Sequence, residues 1–167
     1  MNKTVYLSFL FIFLLFLQVF VLNNINLFNY INPYLYVSYI FAFPLQKNRI
    51  PFLLSCFCLG LFIDFFSDSG GIHAFSILTV AYIRVFFIRL YFKKISTDYS
   101  FFNLKTESFG KKFNYTVTLT IIHHLILFSL INFSFNNFGN VLLNTLFSSI
   151  FTLLLFFLGT FIFTKKE

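Results

Sequence analysis

Two charged side chains, Asp64 and Arg84, lie within stretches that are otherwise apolar, and they are the strongest candidates for recognition or chemistry. Taking a charge out of water is costly unless the charge is paired. A short turn containing Gly70 and Gly71 joins the two stretches, so the segments that carry the charges should be neighbours. We therefore predict an Asp64–Arg84 ion pair. A substrate or partner contact, and no contact between the two, are the alternatives.

The turn region between these charges is rich in small and polar residues. Gly60 is predicted to let two helices approach closely, because it has no side chain. Gly70 and Gly71 suit a tight turn that needs positive φ, and Asp68 or Ser69 is expected to cap the next helix. This region is interpreted either as a well-formed hairpin or as an edge on which a partner protein docks.

Two pairs of potentially reactive residues lie elsewhere. His123 and His124 sit near the middle of a long apolar stretch, where inward-facing hydrogen bonds to another helix are the predicted role and a proton relay or ligand contact is the alternative. Adjacent helical residues diverge by about 100°, so at most one of them faces a given neighbour. Cys56 and Cys58 would point in nearly opposite directions on a helix, which favours packing over a shared metal site.

The sequence shows no Gly-rich phosphate loop, Ser/His/Asp set, metal-spaced cluster or haem motif. We therefore expect no catalytic residues, no cofactor-binding residues and no metal ligands. A non-enzymatic protein is predicted.

The elements that must position these residues are membrane helices. Of the 167 residues, 59% are hydrophobic and only 10% are charged, and the mean hydropathy is +0.86. Soluble domains carry roughly 25% charged residues. This composition excludes a soluble globular enzyme, and its hydrophobicity excludes a disordered chain. The predicted fold class is an all-α integral membrane protein with a single transmembrane domain over residues 1–167.

Charge-free runs predict the number of helices. Residues 4–46 and 113–164 contain no Asp, Glu, Lys or Arg, and each run has room for two helices of about 20 residues. The shorter charge-free pieces 50–63 and 69–83 each indicate one more helix. We predict six transmembrane helices, over residues 4–22, 31–46, 50–66, 74–92, 114–133 and 140–163.

The second and third predicted helices are short. Pro33 and Pro51 are expected in their first turns, where a missing N–H costs little. Tilt or local bilayer thinning accounts for the lengths, and a transporter-like site lined by short helices is the alternative.

The basic residues predict the orientation, because Lys and Arg accumulate in cytoplasmic loops. With six helices, all of them except Arg84 fall on one side, and the opposite loops 23–30, 67–73 and 134–139 contain none. We therefore predict a multi-pass membrane protein with both termini in the cytoplasm. The eleven residues on that side are Lys3, Lys47, Arg49, Arg89, Lys93, Lys94, Lys105, Lys111, Lys112, Lys165 and Lys166.

The net charge of +7 thus sets orientation and is not evidence for nucleic-acid binding. Loop 93–113 holds five basic and two acidic residues. Attraction to anionic membrane lipid is its predicted role, and docking of a cytoplasmic protein is the alternative.

Residues 60–74, with the sequence GLFIDFFSDSGGIHA, resemble the signature hairpin of the bacterial rod shape-determining protein MreD family, together with residues 82–84. Residues 17–18 and 32–44 also resemble that family, particularly its Bacteroidetes members. The resemblance covers roughly residues 15–92, and the C-terminal half is similar only in hydropathy.

This resemblance implies a non-enzymatic scaffold of the cell-elongation machinery (the elongasome) in the bacterial cytoplasmic (inner) membrane. The scaffold controls cell shape and peptidoglycan synthesis. The implied partner is an MreC-like bitopic protein. Through it the scaffold would act with an MreB-like cytoskeleton, a RodA-like glycosyltransferase and its transpeptidase. The residues implied to form a partner-binding or structural polar hairpin are Gly60, Asp64, Asp68, Gly70, Gly71 and Arg84.

The MreD fold is similar to that of the membrane substrate-binding subunits of energy-coupling-factor transporters. The resemblance therefore also implies an alternative function, a small-solute binding or transport subunit. That alternative predicts a hydrated pocket near Asp64, Arg84 and His123.

Overall fold

The computed structural model describes residues 2–25, 31–45, 48–92, 107–132 and 138–164. Within these ranges the prediction of an all-α fold is confirmed, and five helices are long and apolar enough to span a membrane. The helices are α1 (Lys3–Phe16), α2 (Ser38–Ala42), α3 (Ile50–Ser67), α4 (Ile72–Phe92), α5 (Phe109–Ile131) and α6 (Phe138–Thr164). A π-helical turn (Leu17–Val21) and a 3-10 turn (Leu22–Asn24) prolong α1, and a 3-10 turn (Leu35–Val37) precedes α2.

The predicted second spanning helix, 31–46, is wrong. Of the described residues 31–45, only the 3-10 turn and the five residues of α2 are helical, so these residues contain no helix of membrane length. Two prolines explain the difference, since the residue before a proline is driven away from the α conformation. Phe43, which precedes Pro44, is extended at φ −73° and ψ 128°, and it ends α2. Pro33 lies before the first helical turn rather than within it.

The other predicted helices are confirmed, with shifted ends. Helix α5 begins at Phe109 instead of 114, and Pro51 lies in the first turn of α3 as predicted. Part of the predicted loop 93–113 and of the loop 134–139 lies outside the described residues, as do Lys47, Lys93, Lys94, Lys105, Lys165 and Lys166.

Residues 31–45, called the crossing segment here, run the length of the bundle. Asn23, in the 3-10 turn that prolongs α1, donates to Ser67 at the end of α3 at 2.8 Å, and Phe11 of α1 packs on Phe62 of α3, so the two helices run in the same direction. The chain must therefore return between them. Phe43 reaches the start of α3, where its ring centroid lies 4.9 Å from that of Phe52. The segment thus connects the end of the bundle that holds the α3–α4 turn, called the turn end, with the opposite end.

The crossing segment also forms the centre of the core. Tyr36 and Ile40 are fully buried, and Val37 is almost so. By contrast, α1 and α6 are the least buried of the five long helices. Phe157 of α6 packs on Phe113 of α5, which places the end of α6 at the same end of the bundle as the start of α5.

Candidate functional site

The α3–α4 hairpin closes over Gly60. A Cβ atom built on Gly60 would lie 2.5 Å from Cα and 2.7 Å from the backbone N of Ala74, closer than atoms can pack. The two backbones are therefore in direct contact, and the prediction that Gly60 allows close helix approach is confirmed. Gly70 and Gly71 have φ values of +66° and +94°, so their predicted role in the turn is confirmed as well.

Asp64 caps the start of α4. One carboxylate oxygen, Oδ1, accepts hydrogen bonds from the backbone N–H of His73 (2.9 Å) and from the Ser69 hydroxyl, and Oδ2 accepts from the N–H of Ala74 at 2.7 Å. The first N–H groups of a helix lack partners within it and favour a negative charge. The N–H groups at the start of α4 therefore offset the cost of burying the Asp64 carboxylate.

The cap predicted from Asp68 or Ser69 is wrong. Asp68 is exposed and ends α3 in the left-handed conformation, at φ 51°. Ser69 contributes only by donating to Asp64. The capping residue comes from the preceding helix instead of the turn, because the close contact at Gly60 brings Asp64 against the start of α4.

The predicted Asp64–Arg84 ion pair is also wrong. Arg84 lies ten residues beyond Ala74, about 15 Å further along α4 at 1.5 Å per residue. Its Nη2 donates to the carbonyl oxygen of Phe43 at 2.6 Å and its Nε to the Tyr115 hydroxyl at 3.2 Å. The guanidinium carbon also lies 4.9 Å from the centroid of the Phe52 ring. Arg84 thus binds the backbone at the end of α2.

Three further side chains hold the other end of the crossing segment. Gln18 in the π-helical turn donates to the carbonyl of Pro33 at 3.0 Å. From α6, Ser148 accepts from the N–H of Asn32 at 3.3 Å, and Thr152 accepts from the N–H of Tyr34 at 2.9 Å. Backbone groups outside regular helices need partners inside the bilayer, because no water is available there. Polar side chains of α6 and of the turn that prolongs α1 supply them at this end, as Arg84 of α4 does at the other.

Tyr36 lies between two histidines at the centre of the bundle. Its hydroxyl is 2.9 Å from Nδ1 of His73 and 2.8 Å from Nε2 of His123, and all three residues are buried. His124 binds the Thr120 carbonyl through Nδ1 and the Thr152 hydroxyl through Nε2. The predicted inward hydrogen-bonding role of His123 and His124 is therefore confirmed.

Sequence reasoning missed Tyr36 and the role of His73. A helical second span gives Tyr36 no special position, and the sequence presents His73 only as one residue of the hairpin 60–74. Cys56 is buried and Cys58 half-buried, and both are free thiols. Among the described residues no three His, Cys, Asp or Glu side chains are placed to hold a metal ion.

A cavity of about 370 Å³ opens at the turn end. Its described lining comes from the end of α1, the start of the crossing segment and the α3–α4 turn. The polar residues of this lining are Asn23, Asn24, Asn32, Ser67, Ser69 and His73. The cavity connects with the buried network through His73.

The pocket expected near Asp64, Arg84 and His123 is present only in part. Two residues of the cavity lining connect it with the expected positions. Ser69 is hydrogen-bonded to Asp64, and His73 is linked to His123 by the Tyr36 hydroxyl. Beside Arg84 there is a separate space of about 10 Å³, enough for about one water.

Compared with known proteins, the chain matches no family model, no curated protein and no solved structure. Its function is therefore inferred from the geometry above together with the sequence resemblance.

Proposed function

We propose that the protein is a non-enzymatic membrane scaffold of the bacterial cell-elongation machinery, as its resemblance to the MreD family implies. It binds an MreC-like bitopic protein, and through it the MreB-like cytoskeleton, the RodA-like glycosyltransferase and its transpeptidase. The observation that supports this role is the use of Asp64 and Arg84, the acidic and basic residues buried within the described helices. Both build the fold, one as the cap of α4 and the other as the support of Phe43.

A scaffold of this kind works through its lateral helix faces. Helix α1 is the most apolar and least buried of the spanning helices, and Phe9, Phe13, Phe16 and Phe20 are exposed along it. Aromatic side chains at this spacing form a continuous ridge on one side of a helix. We propose this ridge as the surface on which the single transmembrane helix of the partner packs.

The orientation is part of the proposal. The protein lies in the cytoplasmic membrane with both termini in the cytoplasm, and the turn end faces outward. The positive-inside distribution of Lys and Arg supports this orientation, as does the position of the start of α1 and the end of α6 at the end opposite the turn.

Co-purification from native membranes tests the scaffold role. Tagged wild-type protein is expected to retain an MreC-like protein, and the double variant Phe9→Ala/Phe13→Ala should retain at least fivefold less. Phe86→Ala/Leu90→Ala, on an exposed face of α4, is the matched control and should retain the wild-type amount. Depletion should make rod-shaped cells round. Normal rods with undisturbed elongation proteins would contradict the proposal.

A second candidate function is a small-solute binding or transport subunit, and the cavity of about 370 Å³ is the observation that favours it. This candidate predicts co-purification with an ATPase module of the energy-coupling-factor type instead of an MreC-like protein. The same pull-down therefore separates the two.

A further inference from the structure

The hydrogen-bond chain through Tyr36 has a direction. A tyrosine hydroxyl carries one proton, so it donates to one of the two histidines and accepts from the other. Either Tyr36 donates to Nδ1 of His73 and accepts from Nε2 of His123, or both bonds run the other way. The two arrangements leave the proton of each neutral ring on a different nitrogen.

The environment of His123 selects between them. Its other ring nitrogen, Nδ1, is buried and has no hydrogen-bond partner among the described residues. If Tyr36 donated to Nε2, the neutral ring of His123 would carry an unpaired N–H at Nδ1. Buried unpaired N–H groups are rarer than unpaired acceptors. The proton of His123 therefore sits on Nε2 and is donated to Tyr36, which in turn donates to Nδ1 of His73.

This direction turns His73 into a hydrogen-bond donor toward the cavity. Because Nδ1 of His73 accepts the Tyr36 proton, the neutral ring carries its own proton on Nε2. His73 lines the cavity, so Nε2–H is the ring group available to a ligand there. A ligand with an oxygen acceptor is favoured at this point.

The remaining polar groups of the cavity are uncharged and partly fixed in place. Asn23 accepts from Gln18 at 2.8 Å and donates to Ser67 at 2.8 Å, so its amide is held before any ligand binds. Ser69 is held by Asp64, whose negative charge is already bound by three donors. No charged residue is among the described lining. An ionic ligand would therefore gain no counter-charge from these residues, which favours a neutral ligand.

Size and shape narrow the ligand further. A volume of about 370 Å³ lies near the lower end of the range of about 300–1,000 Å³ found for small-molecule pockets, which suits a ligand of monosaccharide size. Tyr34 and Phe66 add aromatic surface to the lining, against which the C–H face of a sugar ring can pack. We propose that this cavity binds a neutral, polyhydroxylated small molecule of about hexose size, with His73 donating to one of its oxygens.

The proposal is tested with purified protein in phosphatidylcholine nanodiscs. Maltoside and glucoside detergents are left out of the final sample, because their headgroups belong to the proposed ligand class. Isothermal titration calorimetry with glucose, N-acetylglucosamine and inositol is expected to show binding by at least one. The charged counterparts glucosamine and glucuronate should bind at least tenfold more weakly. Absence of binding by every neutral probe at millimolar concentration, or equal binding of the charged ones, would overturn the proposal.

A second arm distinguishes the source of the sugar. Nanodiscs that contain a monoglucosyl lipid are titrated with the neutral probe that binds. If the site takes lipid headgroups, the lipid competes and the apparent affinity falls. If it takes free sugars only, the affinity is unchanged. Both outcomes support the ligand class.

Variants test the part assigned to His73. His73→Leu removes the donor and should weaken binding at least tenfold, whereas His73→Gln keeps an N–H donor and should stay within about threefold. Tyr36→Phe removes the hydroxyl that keeps the proton of His73 on Nε2, and it should weaken binding about fivefold. Tyr82→Phe, exposed on α4, is the control and should change nothing. Should His73→Leu fail to fold, Asn24→Ala at the exposed rim tests the site, with an expected loss of about fivefold.

Nitrogen-15 NMR of the histidines tests the direction of the chain without any substitution. His73 and His123 should both carry their proton on Nε2. His124 should carry it on Nδ1, because a carbonyl only accepts, and it serves as the internal reference. A proton on Nδ1 of His73 would overturn the assignment. None of these results bears on the scaffold role, which the pull-down tests separately.

Discussion

The α3–α4 hairpin and the crossing segment are stabilised in opposite ways. The hairpin is stabilised by local contacts, since Gly60 and Asp64 contact residues only five to fourteen positions away. The crossing segment depends on side chains that are remote in sequence, as in the bond between Tyr34 and Thr152, 118 residues apart. Local sequence therefore suffices to specify the first region, whereas the second exists only once the other helices have assembled around it.

The largest effect is expected at Gly60. Gly60→Ala forces a methyl group against the backbone of Ala74, and because backbone cannot move aside the hairpin should lose about 3 kcal/mol or more. Thermal unfolding of the purified protein measures this. Gly159→Ala in α6 is the matched control, since open space surrounds that position, and it should be neutral or stabilising. Equal stability of the two variants would show that the hairpin does not depend on this contact.

Asp64→Ala should be the next most damaging change. It leaves the N–H groups of His73 and Ala74 and the hydroxyl of Ser69 without their acceptor, with an expected loss of about 2–3 kcal/mol. The exposed Asp68→Asn is the control and should stay within about 0.5 kcal/mol. Hydrogen exchange should rise at the first turn of α4 in the Asp64 variant alone. Unchanged exchange there would contradict the capping role.

Arg84→Met tests the crossing segment from the opposite end. Without the guanidinium, the carbonyl of Phe43 loses its charged donor, and we expect a loss of about 1.5–3 kcal/mol. Exchange should increase in α2 and stay low in the α3–α4 turn. A variant that loosens both regions equally would mean that they are not independent. Arg84→Lys keeps the charge but not the planar guanidinium, so its stability should fall between that of the wild type and that of Arg84→Met.

The smallest effect is expected for Thr152→Val, which keeps the shape of the side chain but removes its hydroxyl. The N–H of Tyr34 and Nε2 of His124 both lose a partner, at a cost of about 1 kcal/mol. Thr79→Val is the control, because its hydroxyl bonds only within α4 at an exposed position. If both substitutions have the same effect, Thr152 does not support the crossing segment.

The same contrast explains what could be predicted from the sequence. Five helices and the roles of Gly60, Gly70 and Gly71 follow from local composition, because apolar runs and turn chemistry act over short distances. Adjacent helices predict the Asp64–Arg84 ion pair, but each charge has a better partner than the other. For Asp64 it is the N-terminus of α4, and for Arg84 it is the Phe43 carbonyl, which a regular second helix would have paired internally.

The cavity and the Tyr36 network could not be predicted for a related reason. Both depend on the path of the crossing segment between Pro33 and Pro44, and that path is set by contacts with α1, α4, α5 and α6. The two prolines were the available signal. If both prolines are taken as helix breakers, the residues between them are too few for a helix that spans the membrane.

The central claim is that the crossing segment traverses the membrane without a helix of membrane length. Single cysteines introduced by Asn2→Cys, Asp68→Cys and Glu107→Cys, in a background with Cys56→Ala and Cys58→Ala, test it directly in intact cells. With a membrane-impermeant maleimide, positions 2 and 107 should report the same side of the membrane and position 68 the opposite side. If positions 2 and 68 report the same side, the segment does not cross and the account of its support by polar side chains is wrong.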